Sequence, residues 1–406
     1  MMKKNVLIVV LVLALVLVGC AEHEHSWNEV ASTAPTCTAD GERVFKCKGC
    51  GATRTEMVEK LSHSFGEWGN SDDLKTNTRE CSVCQEKETR DGIVVNPTNA
   101  QELINSVNTG KVYFTAGEYG DLSLTHSKKV STAKETHSKK DADVENLNDT
   151  TTYDYCRQIE NLELIGGDGV VVAGSFICNS GHQYGTKDNA ITDPLRNITI
   201  DSTNNSYYSY ISIDGLEFKA MTFEAGQISF GNQMDSTVMK NIKIEGCVFD
   251  GSGTSNMQAV RFLADSNSFE NVTIENTKID NYFQGIWGEG FKNITIKDCE
   301  VSNTEHNAIA IQSSNNTFTG TIALKNNTIS NTADRAVRFG NGKDATIVVE
   351  KNVFSEAVDT NGDLLKTSTL TNCTYSFTGN TYNDVSMKDI SGRDSSWIVT
   401  IPTEEV

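Results

Sequence analysis

Alternating apolar and polar residues recur in seven short segments in the second half of the chain. Each segment has alternating apolar positions, a two-residue break and a further apolar stretch. The segments are Ile211–Phe218, Ile242–Phe249, Val272–Ile279, Ile294–Val301, Ile322–Ile329, Ile347–Phe354 and Tyr375–Tyr382. Alternation with period two predicts β-strands, and a fixed motif with spacers of variable length predicts a solenoid whose loops vary.

Alignment on the last apolar residue before each break gives three columns. The break holds residues that tolerate positive φ, with Lys351 as the exception: Gly215, Gly246, Asn276, Asp298, Asn326 and Gly379. Small or amide side chains follow: Leu216, Cys247, Thr277, Cys299, Asn327, Asn352 and Asn380. Apolar residues close each copy: Phe218, Phe249, Ile279, Val301, Ile329, Phe354 and Tyr382. We expect an asparagine ladder that hydrogen-bonds from coil to coil and a continuous apolar interior.

These columns resemble the pectin-lyase-like superfamily. The resemblance extends from about Ile93 to the C-terminus. It implies an all-β fold, a right-handed parallel β-helix solenoid of about ten coils over residues 91–406. This scaffold hosts lyases, hydrolases and inert adhesins, so the fold alone does not indicate an activity.

Both ends of the solenoid carry signals for a cap. Thr98–Gln101 has the pattern of a capping box, an apolar stripe follows, and Gly110 is a candidate helix stop. We expect a short helix over the open N-terminal end of the apolar interior. The apolar segment Trp397–Ile401 is a candidate closing strand at the other end.

Residues 1–19 have the pattern of a targeting segment. Lys3 and Lys4 precede an apolar run, Val6–Val18, which leads to Gly19 and Cys20. The pattern resembles a bacterial lipoprotein signal peptide, which implies that Cys20 is diacylated. The protein is then expected outside the cytoplasm, lipid-anchored to the cell membrane or an outer membrane and exposed at the cell surface. The alternative is an uncleaved transmembrane anchor, but the run is shorter than the roughly 20 residues of a full span.

The charge balance restricts the choice of partners. The chain has 54 acidic and 35 basic residues, a formal net charge of −19. Nucleic acid is not an expected partner, because phosphate binding needs a basic surface. The charge also disfavours an anionic polymer unless a local arginine cluster or bound cations offset it. We expect a monomer.

Residues 20–90 form a cysteine-rich region with two CxxC pairs and a degenerate repeat of about 38 residues. It resembles the short His/Trp/CxxC repeats of surface proteins from Gram-positive anaerobes. Cys47, Cys50, Cys81 and Cys84 have the spacing of a zinc ribbon and are candidate ligands of a structural zinc ion. A rival set takes Cys37, Cys47 and Cys50 with His25 or His63, and disulfides are the third interpretation. Each gives the region a structural role.

In the resembled family, ligands bind along the outside of one strand stack and its preceding loops. Here we assign that strand to residues 227–230, 259–262, 285–288, 308–311 and 336–339. Alternation predicts that Val260, Ile286, Ile309 and Val337 point inward. The outward and loop positions collect the candidate ligand-binding residues Arg261, Phe283, Trp287 and Glu289 and the candidate catalytic residues His306, Asp334 and Arg338.

These residues predict binding of an extracellular polysaccharide. An exposed tryptophan beside arginine suits a sugar ring that carries a carboxylate. If the protein is an enzyme, a lyase is favoured over a glycoside hydrolase. His306, oriented by Asp334, is placed to abstract a proton in β-elimination, with Arg338 neutralising the carboxylate. Glu289 and Asp334 lie two coils apart, too far for a hydrolase pair. The alternative function is a non-catalytic surface scaffold or adhesin.

Overall fold

The computed structural model describes residues 24–124, 157–184, 192–193, 198–199, 206–209, 211–232, 239–252, 256–264, 269–312, 316–393 and 397–401. The chain divides into two compact units, Met1–Arg90 and Asp91–Val406. Val6–Val18 and Cys20 lie outside the described residues. Within the described residues, no helix has the length and apolar character needed to cross a membrane.

The first unit is built from antiparallel strands. They form two three-stranded sheets: Trp27–Thr33, Gly41–Cys47 and Thr53–Val58, then Gly69–Asn70, Thr76–Glu80 and Lys87–Asp91. Its buried sulfur and apolar side chains, among the residues described, are those of Cys37, Cys47 and Cys81. Val30, Met57, Leu61 and Val83 are exposed. The unit therefore lacks a hydrocarbon core that would account for its folding.

The second unit is a parallel β-helix in which each coil contributes a strand to three stacks. The first stack contains Ile93–Val95, Gly110–Phe114, Arg157–Ile165, Ile211–Lys219, Met239–Glu245, Phe269–Glu275, Phe291–Lys297, Phe318–Lys325, residues 345–350 and Thr374–Thr378. The second stack contains Gly117–Tyr119, Val170–Val172, Thr222–Glu224, Val248–Asp250, Lys278–Asp280, Glu300–Thr304, Thr328–Thr332, Val353–Ser355 and Thr381–Tyr382. The third stack contains Leu122–Ser123, Phe176–Tyr184, Ile228–Asn232, Gln258–Ala264, Gln284–Gly288, Ile309–Ile311, residues 337–343 and Asp363–Thr371.

The long strand Val337–Glu350 belongs to both the third and the first stack. The remaining strands pair antiparallel at the margins: Thr192–Asp193, Ile198–Thr199, Ser206–Ser209, Val385–Ser386, Ile390–Arg393 and Ile398–Thr400. Eight coils between Gly110 and Thr371 carry strands in all three stacks, and incomplete coils lie at both ends. This confirms the predicted all-β solenoid of parallel coils.

The predicted interior columns are correct for six of the seven copies and wrong for the first. In the second stack, Phe223 pairs with Phe249, and the column continues through Ile279, Val301, Ile329, Phe354 and Tyr382. Phe218 instead lies in the first stack, paired with Ile244. The prediction failed because Ile211–Lys219 is one long strand, and alternation alone does not show which part of it opens the repeat.

Positive φ marks the break in every coil of this series. The values are +61° at Gly246, +50° at Asn276, +55° at Asp298, Asn326 and Lys351, and +63° at Gly379. In the corrected first copy the break falls at Ala220, with φ +50°. The bend thus needs this conformation even where the residue is lysine or alanine, which bear the steric cost of a Cβ.

The asparagine ladder runs through the three C-terminal copies. The Asn327 side-chain amide donates to Asn352 Oδ1 at 2.9 Å, and that of Asn352 donates to Asn380 Oδ1 at 3.0 Å. The same oxygens accept the backbone N–H of Asn327 and Asn352. All three residues are buried, so the ladder satisfies polar groups that water does not reach.

The helix at the N-terminal end is present, but its boundaries differ from the prediction. It spans Ala100–Ser106, with Asn99 as the N-cap and no side-chain cap hydrogen bond. The Thr98 hydroxyl bonds to Asn96 Oδ1 instead of capping the helix. The C-terminal carbonyls of Ile104 and Val107 accept hydrogen bonds from Arg157. The capping box failed because a local turn at Asn96 competes for the same hydroxyl.

The C-terminal end closes with antiparallel strands. Ile398–Thr400 pairs with the third-stack strand Asp363–Thr371, and Ile390–Arg393 pairs with Thr374–Thr378 in the first stack. Trp397 is buried and stacks on Tyr375, with ring centroids 4.5 Å apart. These contacts cover edges that would otherwise remain open for pairing with another chain.

Candidate functional site

The outer face of the third stack brings the predicted ligand-binding residues into one column. Register pairs Ser229 with Arg261, Arg261 with Trp287, Trp287 with Ala310, Ala310 with Arg338, and Arg338 with Lys366. Val260, Ile286, Ile309 and Val337 are fully buried, in agreement with their predicted inward direction. Alternation therefore places Arg261, Trp287 and Arg338 on the outer side of the sheet.

Three cations and one tryptophan are partly exposed in this column. Arg261, Trp287, Arg338 and Lys366 are half-buried, whereas Ala310 between them is fully buried. The Arg261 guanidinium lies over the Trp287 ring, 5.9 Å from its centroid. Lys366 was not predicted from the sequence, because its coil falls outside the five aligned strands. The column from Arg261 to Lys366 spans about 19 Å at the usual strand spacing.

Glu289 does not behave as an exposed ligand-binding group. It is only 8% exposed, and its Oε1 accepts the backbone N–H of Ala264 in the preceding coil at 3.3 Å. The strand of this coil ends at Gly288, so the next position leaves the alternating pattern. The structure thus gives Glu289 a role in holding neighbouring coils together, which differs from the sequence-based assignment.

The loops before the third stack place His306 next to Phe283 on one side and Asp334 on the other. The His306 N–H donates to the Phe283 carbonyl at 2.8 Å, and the two rings lie 5.3 Å apart. The Thr304 hydroxyl bonds to the His306 carbonyl, and Thr332 makes the same contact with Asp334. Matching threonines one coil apart thus give both loops the same conformation.

The predicted pairing of His306 with Asp334 is present as a close contact. His306 Nδ1 lies 3.4 Å from Asp334 Oδ2, which is long for a hydrogen bond. This Nδ1 atom is buried and has no hydrogen-bond partner among the described residues, although the side chain is 36% exposed. The ring is therefore oriented with Nδ1 toward the carboxylate and its other edge accessible, which suits a base held by an acid.

Asp334 forms an ion pair with Arg335. Its Nη1 lies 3.1 Å from Asp334 Oδ1, and Asn307 donates to Oδ2 at 3.0 Å. Arg335 also pairs with Asp359 and lies 4.0 Å from Asp363. Sequence reasoning did not find this network, because the outward and loop columns do not include the position of Arg335 between them. Its acids are bound to protein groups and do not form an open carboxylate pair.

The four cysteines proposed as one zinc-ribbon site fall into two groups. Cys81 and Cys84 lie with Cys37 and His63, whereas Cys47 and Cys50 lie with His25. Within each group the potential ligand atoms are within 4.8 Å of one another. The single four-cysteine set is therefore not brought together, and Cys37 belongs with the second CxxC pair. No disulfide forms among the described cysteines.

Both CxxC turns have the same backbone hydrogen bonds. Cys47 N–H donates to the Ala52 carbonyl, and Gly51 N–H donates back to Cys47. Cys81 does the same with Glu86 and Gln85. Backbone N–H groups of Cys84 and Val83 that point at the Cys81 sulfur, together with His63, lower the pKa of this thiol to about 6 against the effect of burial. Such a turn favours thiolate, the form that binds metal.

No protein-family model and no curated protein sequence matches the chain. Among solved structures, the A-module of mannuronan C-5 epimerase AlgE6 from Azotobacter vinelandii is 10% identical, covers 70% of this chain and 94% of its own, and has a TM-score of 0.26. The exopolygalacturonase from Thermotoga maritima is 9% identical over 76% of this chain and 95% of its own, with a TM-score of 0.23. ORF18 of Geobacillus virus E2 is 11% identical over 77% and 70%, with a TM-score of 0.28.

Proposed function

We propose that the third-stack face binds an acidic extracellular polysaccharide. The observation that supports this most directly is the paired column of Arg261, Trp287, Arg338 and Lys366. The described residues of this column include no carboxylate. The column is therefore a local group of cations on a chain whose net charge is negative. Such a group is what an acidic protein needs to bind an anionic polymer.

The arrangement suits a chain of sugars rather than a compact ligand. The cations repeat along the helix axis, so a polymer that lies across successive coils meets them in turn. Trp287 offers an apolar ring to a sugar face, and Arg261 and Arg338 offer paired donors to carboxylates. Each contact is half exposed and individually weak, so affinity comes from several sugars bound at once.

The His306–Asp334 contact favours a second step, cleavage by β-elimination. In this reaction the accessible nitrogen of His306 takes the proton from the carbon next to the uronate carboxylate. The electron pair forms a carbon–carbon double bond, and the β carbon–oxygen glycosidic bond breaks. The leaving oxygen takes a proton from water, and the His306 imidazolium returns its proton to the solvent. Asp334 stabilises the imidazolium through Nδ1, and Arg338 offsets the carboxylate charge.

The binding proposal is tested by the double variant Trp287→Ala, Arg338→Ala. We expect it to lose at least tenfold in affinity for uronate-containing polysaccharides while its thermal unfolding stays unchanged. The control is Lys292→Ala with Lys278→Ala, which removes two exposed lysines from the other stacks. Unchanged binding by the double variant would refute the site. No binding by the wild-type protein would favour the alternative, a surface scaffold or adhesin.

The cleavage step has a separate test. His306→Ala and Asp334→Asn are expected to retain polysaccharide binding and to lose the ultraviolet absorbance of the unsaturated product. Binding by the wild-type protein without any unsaturated product would remove the lyase step and leave a recognition module.

We further propose that Cys20 carries the lipid anchor and holds the protein at an extracytoplasmic membrane face. The support is the pattern of Lys3, Lys4 and the Val6–Val18 run before Gly19 and Cys20. Metabolic labelling with a fatty-acid analogue is expected to label the wild-type protein and not Cys20→Ala. Labelling of Cys20→Ala to the wild-type level would overturn this assignment.

A further inference from the structure

We propose that Cys37, His63, Cys81 and Cys84 bind a structural Zn²⁺ ion that joins the two cysteine-rich repeats. The first repeat supplies one ligand, from the turn between Trp27–Thr33 and Gly41–Cys47, and the second repeat supplies three. The site differs from a zinc ribbon, in which the two CxxC pairs would share one ion, because each pair here lies in its own group.

The donor set and its dimensions fit zinc. Three sulfurs and one imidazole nitrogen form a closed tetrahedral ligand set that is common for structural zinc. His63 Nδ1 lies 3.2 Å from Cys84 Sγ, and all four donor atoms lie within 4.8 Å of one another. Usual Zn–S and Zn–N bonds place ligand atoms about 3.6–3.8 Å apart in a tetrahedron, so small side-chain shifts suffice for coordination.

The surroundings hold the histidine in the orientation that a metal ligand needs. His63 Nε2 lies 3.3 Å from Glu86 Oε2, on the opposite side of the ring from Nδ1. A carboxylate that accepts the proton of one nitrogen leaves the other free for the metal, an outer contact typical of zinc-bound histidines. Cys37 and Cys81 are 2% and 0% exposed, so the ion would be shielded from solvent.

The CxxC turn of the first repeat has fewer potential metal ligands around it among the described residues. His25, Cys47 and Cys50 form a group of three in the described part of the chain, and Cys50 Sγ lies 3.5 Å from His25 Nδ1. His25 corresponds to His63. An aromatic ring stacks on each histidine, Trp27 on His25 and Phe65 on His63. Cys37 therefore acts for the next repeat in the chain, which makes the site a joint between units.

The packing of the first unit gives a structural reason for a zinc site between the two repeats. The chain that leads into the second repeat meets the first repeat around Cys37, where Leu61 N–H donates to the Thr36 carbonyl and Lys60 N–H donates to Asp40. With no buried hydrocarbon side chain described in this unit, a zinc ion would replace the missing core as the source of folding free energy.

The test compares zinc retained by three forms of the full chain after dialysis against a moderate chelator. The wild-type protein and Cys50→Ser are expected to retain one tightly bound zinc per chain, and Cys37→Ser is expected to lose it. A ribbon site would give the reverse order, with Cys50→Ser losing the zinc. Zinc in Cys37→Ser at the wild-type level, or disulfides at Cys37, Cys81 or Cys84 in the purified wild-type protein, would overturn the proposal.

A second measurement remains informative if Cys37→Ser fails to fold. Cobalt(II) is loaded into the wild-type chain and into His63→Cys, which converts three sulfurs and one nitrogen into four sulfurs. We expect stronger thiolate-to-cobalt charge-transfer absorption in His63→Cys at the tight site, and no such change in that site for His25→Cys. Identical cobalt spectra of His63→Cys and the wild-type protein would contradict His63 as a ligand.

Discussion

At the scale of single residues, the solenoid depends on side chains that satisfy backbone groups between coils. The Asn352 side chain makes two such contacts, as its amide donates to the Leu324 carbonyl and its oxygen accepts the Asn327 N–H. Two further hydrogen bonds join it to the side chains of Asn380 and Asn327. Cys299 replaces asparagine at the equivalent position two coils earlier, and its N–H still bonds to Asn327 Oδ1. The ladder therefore begins at Asn327 and extends toward the C-terminus.

Asn352→Ala is expected to destabilise the second unit by about 3 kcal/mol, because it leaves buried donors and acceptors without partners. The measurement is the denaturant midpoint of unfolding, with exposed Lys278→Ala as the control. A midpoint for Asn352→Ala equal to that of the control would show that the ladder adds nothing to stability.

The two-residue break with positive φ is tested by two opposite substitutions, one that removes a Cβ and one that adds a Cβ. Lys351→Gly removes the Cβ from a residue at φ +55°. The relief of steric strain, less the entropy that glycine adds to the unfolded state, is expected to stabilise the folded protein by about 0.5 kcal/mol. Gly379→Ala adds a Cβ at φ +63° and is expected to destabilise by about 1 kcal/mol. The measurement is the thermal unfolding midpoint of each variant relative to the wild-type protein. Midpoint shifts of the same sign for the two variants would contradict the role assigned to this bend.

At the scale of elements, the sequence predicted the direction of side chains correctly where the alternating pattern continues. It failed where contacts between distant segments determine the structure. The inward column Val260, Ile286, Ile309 and Val337 follows from alternation, since the backbone fixes it. Phe218 was misplaced because two registers of a long strand have similar apolar patterns. Arg335 was missed because two of its three acids, Asp359 and Asp363, come from the next coil, which no local spacing reveals.

The cap helix illustrates a contact of this kind. Arg157 is buried, and besides Ile104 and Val107 its guanidinium bonds to the side chains of Asn105 and Asn108. A cation at the helix C-terminus satisfies carbonyls that the helix leaves unpaired. The helix is thus held over the first coil at both ends. Arg157 binds its C-terminal carbonyls, and Gln101 in its first turn donates to the Ser123 carbonyl and accepts the Ser123 N–H.

Arg157→Leu is expected to destabilise the second unit by about 3 kcal/mol, because it removes charged hydrogen bonds to buried acceptors. Hydrogen exchange of the 100–106 amides should rise far more than exchange in the Asn327–Asn380 ladder. An equal rise in both regions would indicate global unfolding instead of loss of a local cap.

At the scale of the whole molecule, the distribution of charge is the feature that separates a binding face from an inert surface. The chain carries a formal net charge of −19, yet Arg261, Arg338 and Lys366 share a column with Trp287. Because the rest of the surface repels anions, association through this column is expected to weaken steeply with added salt.

The most direct test of the account is a titration of the purified protein with a polyuronate and with the same polymer after its carboxylates are reduced to alcohols. We predict binding to the polyuronate that falls at high salt, and at least tenfold weaker binding to the reduced polymer. Removal of the Arg338 side chain should narrow that difference. Equal affinity for the two polymers, or no binding to either, would contradict the proposed function of the third-stack face.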